Sequence, residues 1–374
     1  MRIVLTHPFC WPYVRRGSER FIAEFARFLS DRGHEVVTIS SRLGTGTTED
    51  TPDGRRILHR QRWRPAFAKL RLTPMHTFVP SLVRSLLQID ADVVHSLAYL
   101  DTCAANALRR RRRFRTVLQV TGPPVPYWLP RVPPDRYLVG RAMRSSDRCM
   151  VHSEFNAQIT QEFYGFKPHV IPVPIDIAAF PLKDGPVSER PRILSVASFD
   201  DRRKGVRVLI RAFELLKREL PDALLRLSGQ LSDALRREVL DPLPPALRQD
   251  IEVLGVGELE DLPRLYREAS VTVLPSMWEA YGMSIVESWA CGTPVAVTAH
   301  GGLKELVDDP ALGRTFDPQT TSYETTNAQG LADAIRNALP LDQDRVSRSL
   351  RRARAEARSW DRIGPRYEEL YDGF

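Results

Sequence analysis

The stretch from Leu274 to Val297 constrains this chain more than any other. Val271 to Leu274 is a short apolar, β-branched run that predicts a buried strand. Pro275 ends it, Ser276 to Gly282 predicts a loop, and Ser284 to Ala290 a short helix. Gly292 and Pro294 stop that helix, and Val295 to Thr298 returns to strand. A loop therefore rises from a strand end and runs straight into a helix N-terminus. The first helical N–H groups have no intrahelical partner and the dipole is positive there, so the element is suited to an anion.

Two carboxylates sit on this element, Glu279 and Glu287, with seven residues between them. Carboxylates accept hydrogen bonds from hydroxyls and do not bind phosphate. An anion site with acceptors on both flanks suits a diphosphate with hydroxyls on either side, which describes a nucleotide-sugar. The plainer reading is a helix start with dipole-matched glutamates. Gly282, the Cys291-Gly292-Thr293-Pro294 turn and Gly301-Gly302 weigh against it.

This stretch resembles family 4 of the nucleotide-sugar glycosyltransferases, retaining enzymes of the GT-B fold. Their pattern is Glu, seven residues, Glu, a small residue, Gly and Pro-Val, then a paired-glycine loop. The resemblance places Glu279 at the donor sugar and Glu287 at the ribose, with Tyr281, Gly282, Met283 and Ser284 around the donor. It extends to Lys204-Gly205, which matches the family's diphosphate-gripping Lys-Gly. The family's Arg is replaced by Ser198; Arg202 or Arg203 is the candidate to cover the loss, against the plainer reading of both as part of a charged surface loop before a helix. The loop at Val256 would hold the nucleobase through its backbone. Gly17 keeps one glycine of the pair usual in the first loop. A His common near the reacting sugar is Thr121 here, in Thr121-Gly122-Pro123-Pro124, leaving His95 and His152 as acceptor-side candidates. Transfer on this fold is commonly taken as front-face, with the leaving phosphate accepting the acceptor's proton, so Thr121 bears on acceptor positioning. The implied cofactor set is empty. The donor is a substrate, and no metal is expected.

A length of 374 residues suits two domains. Read with the resemblance, the expected architecture is α/β: two Rossmann-like domains facing across a cleft. Residues 1–174, with a closing helix at about 360–374 crossing back, form the acceptor side; residues 175–359 bind the donor. The chain opens as a βαβ unit: strand Arg2 to Thr6, a helix with Phe21, Phe25, Phe28 and Leu29 on one face, and strand Val36 to Ser40. The four cysteines share no metal-like spacing and read as reduced thiols of a cytoplasmic protein. Met1 to Leu5 is too short for a signal peptide, and no apolar run reaches membrane-spanning length. The net charge of +8 favours anionic partners.

Three charged stretches allow sharper readings. Residues 55 to 88 mix arginines with aromatics, including Arg60, Arg62, Trp63, Arg64, Phe67, Lys69 and Arg71. They read either as a peripheral membrane or lipid-linked-acceptor element at the inner membrane surface, or as an acceptor-pocket lip with aromatics packed inward. The second is preferred, because Pro65 and Pro74 break a long amphipathic helix. Asp90-Ala91-Asp92 reads as a turn into a strand rather than a metal site. Arg109 to Arg113 reads as a helix C-terminus with dipole-matched cations, not a nucleic-acid contact.

The expected function is sugar transfer, with retention, from a nucleoside-diphosphate sugar to a sugar, lipid-linked or small-molecule hydroxyl. The alternatives are a non-catalytic nucleotide-sugar binder and an epimerase of the same architecture.

Overall fold

Aliphatic and β-branched runs become the central strands of two sheets. The computed structural model describes residues 1–70, 72–122, 133–186, 190–320 and 324–372; Arg71, Pro123 and Pro124 lie outside them. The chain divides into one unit of Met1–Val173 with Ile363–Phe374, and a second of Pro174–Arg362.

The first unit holds β1 (Arg2–Thr6), β2 (Glu35–Arg42), β3 (Thr47–Thr51), β4 (Gly54–Arg60), β5 (Val93–Ser96), β6 (Arg115–Gln119), β7 (Arg148–Val151) and β8 (His169–Val170). Their order is β3-β4-β2-β1-β5-β6-β7-β8. Every pairing is parallel except β3 with β4. The order reverses at β1, which lies between β2 and β5, so the strand ends at Thr6 and Ser96 form a switch point. Helix Gly17–Asp31 buries Phe21, Phe25 and Leu29, as their spacing predicts.

Residues 55 to 88 differ in detail from the sequence reading. They begin as strand β4, continue as a 3-10 turn at Pro65–Leu70, and end as helix Pro74–Leu86. Pro65 and Pro74 each open an element, where a missing N–H costs nothing, while Pro80 lies inside the helix. The Asp90-Ala91-Asp92 carboxylates anchor the sheet: Asp92 Oδ2 accepts the Arg2 amide at 2.7 Å, and Asp90 pairs with Arg112 at 2.9 Å. Arg109 and Arg115 pair with Asp147 at 3.1 and 3.4 Å, tying helix Tyr99–Arg112 to the strands beside it.

His95 and His152 lie in a buried hydrogen-bonded line. The His95 ring meets the Tyr371 hydroxyl at 2.7 Å through Nδ1 and Gln119 Oε1 at 2.9 Å through Nε2. Gln119 Nε2 lies 3.2 Å from His152 Nε2, and His152 Nδ1 lies 3.0 Å from the Ile171 carbonyl. One tautomer set satisfies all four contacts with both rings neutral: Tyr371 donates to His95, His95 to Gln119, Gln119 to His152, and His152 to Ile171. Burial accordingly pushes His95 down to about 3 and His152 to about 4.

The unfolded chain, with its histidines near 6.5, binds more protons than the folded one between that value and about pH 4. Stability is therefore full above pH 6.5 and falls as the pH drops through this window, by up to about 1.4 kcal/mol per pH unit for each ring. Urea titrations from pH 7 to pH 4.5 should show a shallower decline in His152→Gln than in wild type. Equal slopes would remove the neutral-pair assignment.

The second unit holds β9 (Arg192–Val196), β10 (Leu224–Ser228), β11 (Ile251–Gly255), β12 (Val271–Leu274), β13 (Val295–Thr298) and β14 (Gly313–Phe316). They form an all-parallel sheet in the order β11-β10-β9-β12-β13-β14. The four residues of β12 and of β13 are all buried, which is why these strands read as continuous apolar runs without alternation. Helix Val206–Leu216 turns Val208, Leu209, Ala212, Phe213 and Leu216 into the core, with Leu215 packed against it.

Candidate functional site

In the second unit β9, β12 and β13 are sheet neighbours, so the loops leaving their C-terminal ends lie side by side. The β9 loop carries Ser198 to Gly205, the β12 loop Pro275 to Gly282, and the β13 loop Ala299 to Gly302. Backbone contacts join all three. The Met277 amide donates to the Arg203 carbonyl at 2.9 Å, and the Gly302 amide to the Glu279 carbonyl at 3.0 Å. Gly205 has φ +67, and a Cβ there would stand 2.5 Å from the Pro275 carbonyl oxygen. A Cβ on Gly302 would stand 2.6 Å from the Ala280 carbonyl oxygen. The glycines thus permit close approach of loop to loop.

These contacts bring together two residues 75 positions apart. Lys204 Nζ lies 2.6 Å from Glu279 Oε2, with side chains 18% and 17% exposed. Each is reachable from solvent without being freely hydrated. Glu279 is held at both ends, its carbonyl by Gly302 and its carboxylate by Lys204.

Three residues further on, Gly282 caps helix Met283–Ala290 with φ +99 and offers no side-chain cap. The helix start is therefore left with backbone amides at Met283 and Ser284, both half-buried. Glu287 lies in the same helix and is buried; its Oε2 accepts the Tyr266 hydroxyl at 2.7 Å. Tyr281 is buried as well. Burial pushes its phenol up to about 12, while Arg358 draws it back.

Arg203 does not stand free to replace the missing arginine. Its guanidinium grips both Asp201 oxygens, Nε donating to Oδ1 at 3.2 Å and Nη2 to Oδ2 at 2.5 Å, and Nη1 donates to the Trp278 carbonyl at 3.1 Å. Asp201 also accepts the Arg203 amide at 3.1 Å, capping the short turn Arg202–Lys204. Arg203 thereby fixes the β9 loop against the β12 loop and aims Lys204. Arg202 pairs with Glu324 at 3.3 Å. Lys204 is the cation left facing Glu279. Ser198 is half-buried on the same loop, and its carbonyl accepts the Asp201 amide at 3.1 Å. Val256 is exposed beyond β11.

Three contributors went unassigned in the sequence. Asp201 positions Arg203. His300 stands against Trp278, ring centroids 4.6 Å apart, and burial lowers its basicity. Trp278 itself has φ +56, an unusual conformation for a bulky residue. An Asp two residues before an Arg in a predicted loop was a legible signal for the first; no local signal marks the other two.

The remaining candidates lie in the first unit. Gly17 is exposed at the start of helix Gly17–Asp31, and Thr121 is exposed just beyond β6. His95 and His152 have both ring nitrogens engaged in the buried line. Among the described residues no cluster of three His, Cys, Asp or Glu side chains has the geometry of a metal site, and no helix is long and apolar enough to cross a membrane.

Residues 178–360 match the family model described as glycosyl transferases group 1, and residues 15–179 the model described as glycosyltransferase family 4. Mannosylfructose-phosphate synthase of Agrobacterium fabrum is 32% identical over 181 residues, covering 43% of this chain and 39% of that protein. The chain spans less than half the length of the curated relatives it matches. Sucrose-phosphate synthase from Thermosynechococcus elongatus superposes over 99% of this chain and 98% of its own, with TM-score 0.81 and 21% identity. The Anabaena HepE protein in complex with UDP-glucose superposes over 100% of both chains, with TM-score 0.76 and 17% identity. At such identities the likeness is one of fold.

Proposed function

We propose, for a chain that belongs to the family 4 glycosyltransferases of GT-B architecture, that it transfers a sugar from a nucleoside-diphosphate sugar to an acceptor hydroxyl with retention of configuration. The observation that carries the reading is Lys204 held 2.6 Å from Glu279, three residues before a helix start without a side-chain cap. A diphosphate placed there meets an ammonium and backbone amides, groups whose hold tightens as the sugar–phosphate bond breaks and charge gathers on the leaving oxygens. Glu279 accepts hydroxyls of the sugar, and Glu287 those of the ribose. The acceptor oxygen bonds to the anomeric carbon on the face the phosphate leaves, and its proton passes to that phosphate. Lys204 and the amides answer the diphosphate's charge, so the reading requires neither metal nor cofactor. Four free thiols support a reducing, cytoplasmic setting.

A thermal-shift screen of UDP-, GDP- and ADP-sugars tests the donor. A ligand at a hundred times its Kd adds about 2.7 kcal/mol to the native state and raises the melting temperature. With the donor found, NMR should show a product of the same anomeric configuration, nucleotide release, and a rate unchanged by chelator. An inverted product removes retention. Donor turnover without nucleotide release makes the protein an epimerase, and tight binding without slow donor hydrolysis makes it a binder.

A further inference from the structure

The chain's charge is concentrated in one place. Residues 54–89 carry eight lysines and arginines and no Asp or Glu, which equals the net charge of +8; the rest of the chain balances at 46 of each sign. Among the described residues, Arg60, Arg62, Arg64 and Lys69 are exposed and enter no ion pair, unlike the arginines of helix Tyr99–Arg112 that meet Asp90 and Asp147. They do not lie on a loose loop. The Phe67 amide donates to the Arg64 carbonyl at 2.9 Å, the Leu72 amide to Phe67 at 3.1 Å, and the Trp63 indole to the Leu72 carbonyl at 3.0 Å. Trp63 and Phe67 are half-buried, while Leu70 is 71% exposed among the cations.

A second apolar contribution lies at the same end of the sheet. Arg42 at the end of β2 is in register with Arg60 at the end of β4, and its carbonyl accepts the Gln61 amide at 2.8 Å. Leu43 follows at once and is 79% exposed. Arg42 also lies over the ring of Tyr13, itself 53% exposed, with its guanidinium carbon 5.1 Å from the centroid. Unpaired cations interspersed with outward leucines and a tyrosine are poorly placed in bulk water. They suit an interface that is anionic at its surface and apolar beneath it.

We propose that this end of the first unit docks on an anionic lipid bilayer. The cations meet the headgroups while Leu43 and Leu70 enter the acyl boundary. The surface lies at the C-terminal edge of the parallel strands, so docking would bring lipid to the edge where sheets of this kind bind ligands. Nucleic acid fits less well, because outward leucines find nothing to enter on a phosphate backbone.

The proposal stands apart from the transfer reaction, since its test reads no turnover. The full chain is sedimented with phosphatidylcholine vesicles and with vesicles containing one part phosphatidylglycerol in three. Binding is expected to the second only and to weaken with salt. Replacing Arg60, Arg62, Arg64 and Lys69 together with Gln should lower the partition coefficient about a hundredfold or more. Leu70→Gln, which leaves the charge unchanged, should lower it several-fold and leave binding to a single-stranded oligonucleotide unchanged. Melting temperatures near wild type would show that these exposed changes leave the fold intact. Equal binding to both vesicle types, equal binding by the fourfold variant, or a Leu70→Gln protein with wild-type affinity overturns the proposal. Tighter retention on the oligonucleotide than on anionic vesicles overturns it in favour of nucleic acid.

Discussion

Glu279→Ala and Lys204→Ala are each expected to reduce transfer by about a hundredfold to a thousandfold while leaving the melting temperature nearly unchanged. The two halves of this expectation have different causes. The pair is partly exposed, and such ion pairs contribute about 0–1 kcal/mol to folding. The Gly302 amide still holds the Glu279 carbonyl when the side chain is removed, so the loop keeps its course. Under the proposed reaction, catalysis would depend on the same groups more steeply. A charge aimed at the leaving diphosphate acts most strongly where bond breaking concentrates negative charge, and losing one such donor costs about 3–4 kcal/mol of barrier. Lys204→Arg should not restore the rate. The guanidinium is broader than an ammonium, and Arg203 and Asp201 already occupy the neighbouring space. Steady-state kinetics beside thermal melts separates the effects. Turnover within a few-fold of wild type in either alanine variant, with the protein folded, would falsify the assignment of this pair.

The legible parts of this molecule are those where one residue type has one physical use. Val271 to Leu274 and Val295 to Thr298 read as buried strands because a β-branched run without alternation has few other places to go. Phe21, Phe25 and Leu29 mark the buried face of their helix for the same reason. Lys204 and Glu279 were singled out separately, and their meeting at 2.6 Å follows from β9 and β12 being sheet neighbours. That adjacency was not visible from spacing alone. The hairpin of β3 and β4 stayed unread because TTEDT has no apolar face and sits on the sheet edge. Arg203 carried the plausible charge for a donor contact. What decides its use is Asp201 two residues earlier and a carbonyl 75 positions later, and only the second depends on the fold. Histidine was the most ambiguous residue of all. His95 and His152 looked available as acid–base groups, yet Gln119 between them makes both neutral members of a buried line.

Arg351→Ala is expected to be strongly destabilising, costing about 3–5 kcal/mol and lowering the melting temperature by about 10 °C. Arginines in a surface-rich helix such as Arg345–Glu356 are ordinarily solvated, but this one is fully buried. Its Nε donates to the Gly292 carbonyl at 2.9 Å, Nη1 to Ala311 at 2.8 Å and Nη2 to Leu341 at 3.0 Å. One planar group therefore ties together the turn ending the site helix, the loop entering β14, and the turn before its own helix. Burial lowers its pKa to about 10, and the buried carboxylate of Asp342 keeps it charged at neutral pH. Alanine would take this donor from the buried Gly292 carbonyl and from the half-buried Ala311 carbonyl, and leave the Asp342 carboxylate paired with Lys183 beside the buried Arg348. Lysine keeps the charge but presents one point where the fork presents three directions, so Arg351→Lys should recover only part of the loss. Neither variant touches Lys204 or Glu279. At a temperature where the protein is still folded, kcat/KM should stay within a few-fold of wild type, in contrast to the site variants. Urea unfolding measures the stability directly, and a loss below about 1 kcal/mol for Arg351→Ala would mean that water satisfies the carbonyls it leaves and that the buried fork is not what secures the helix.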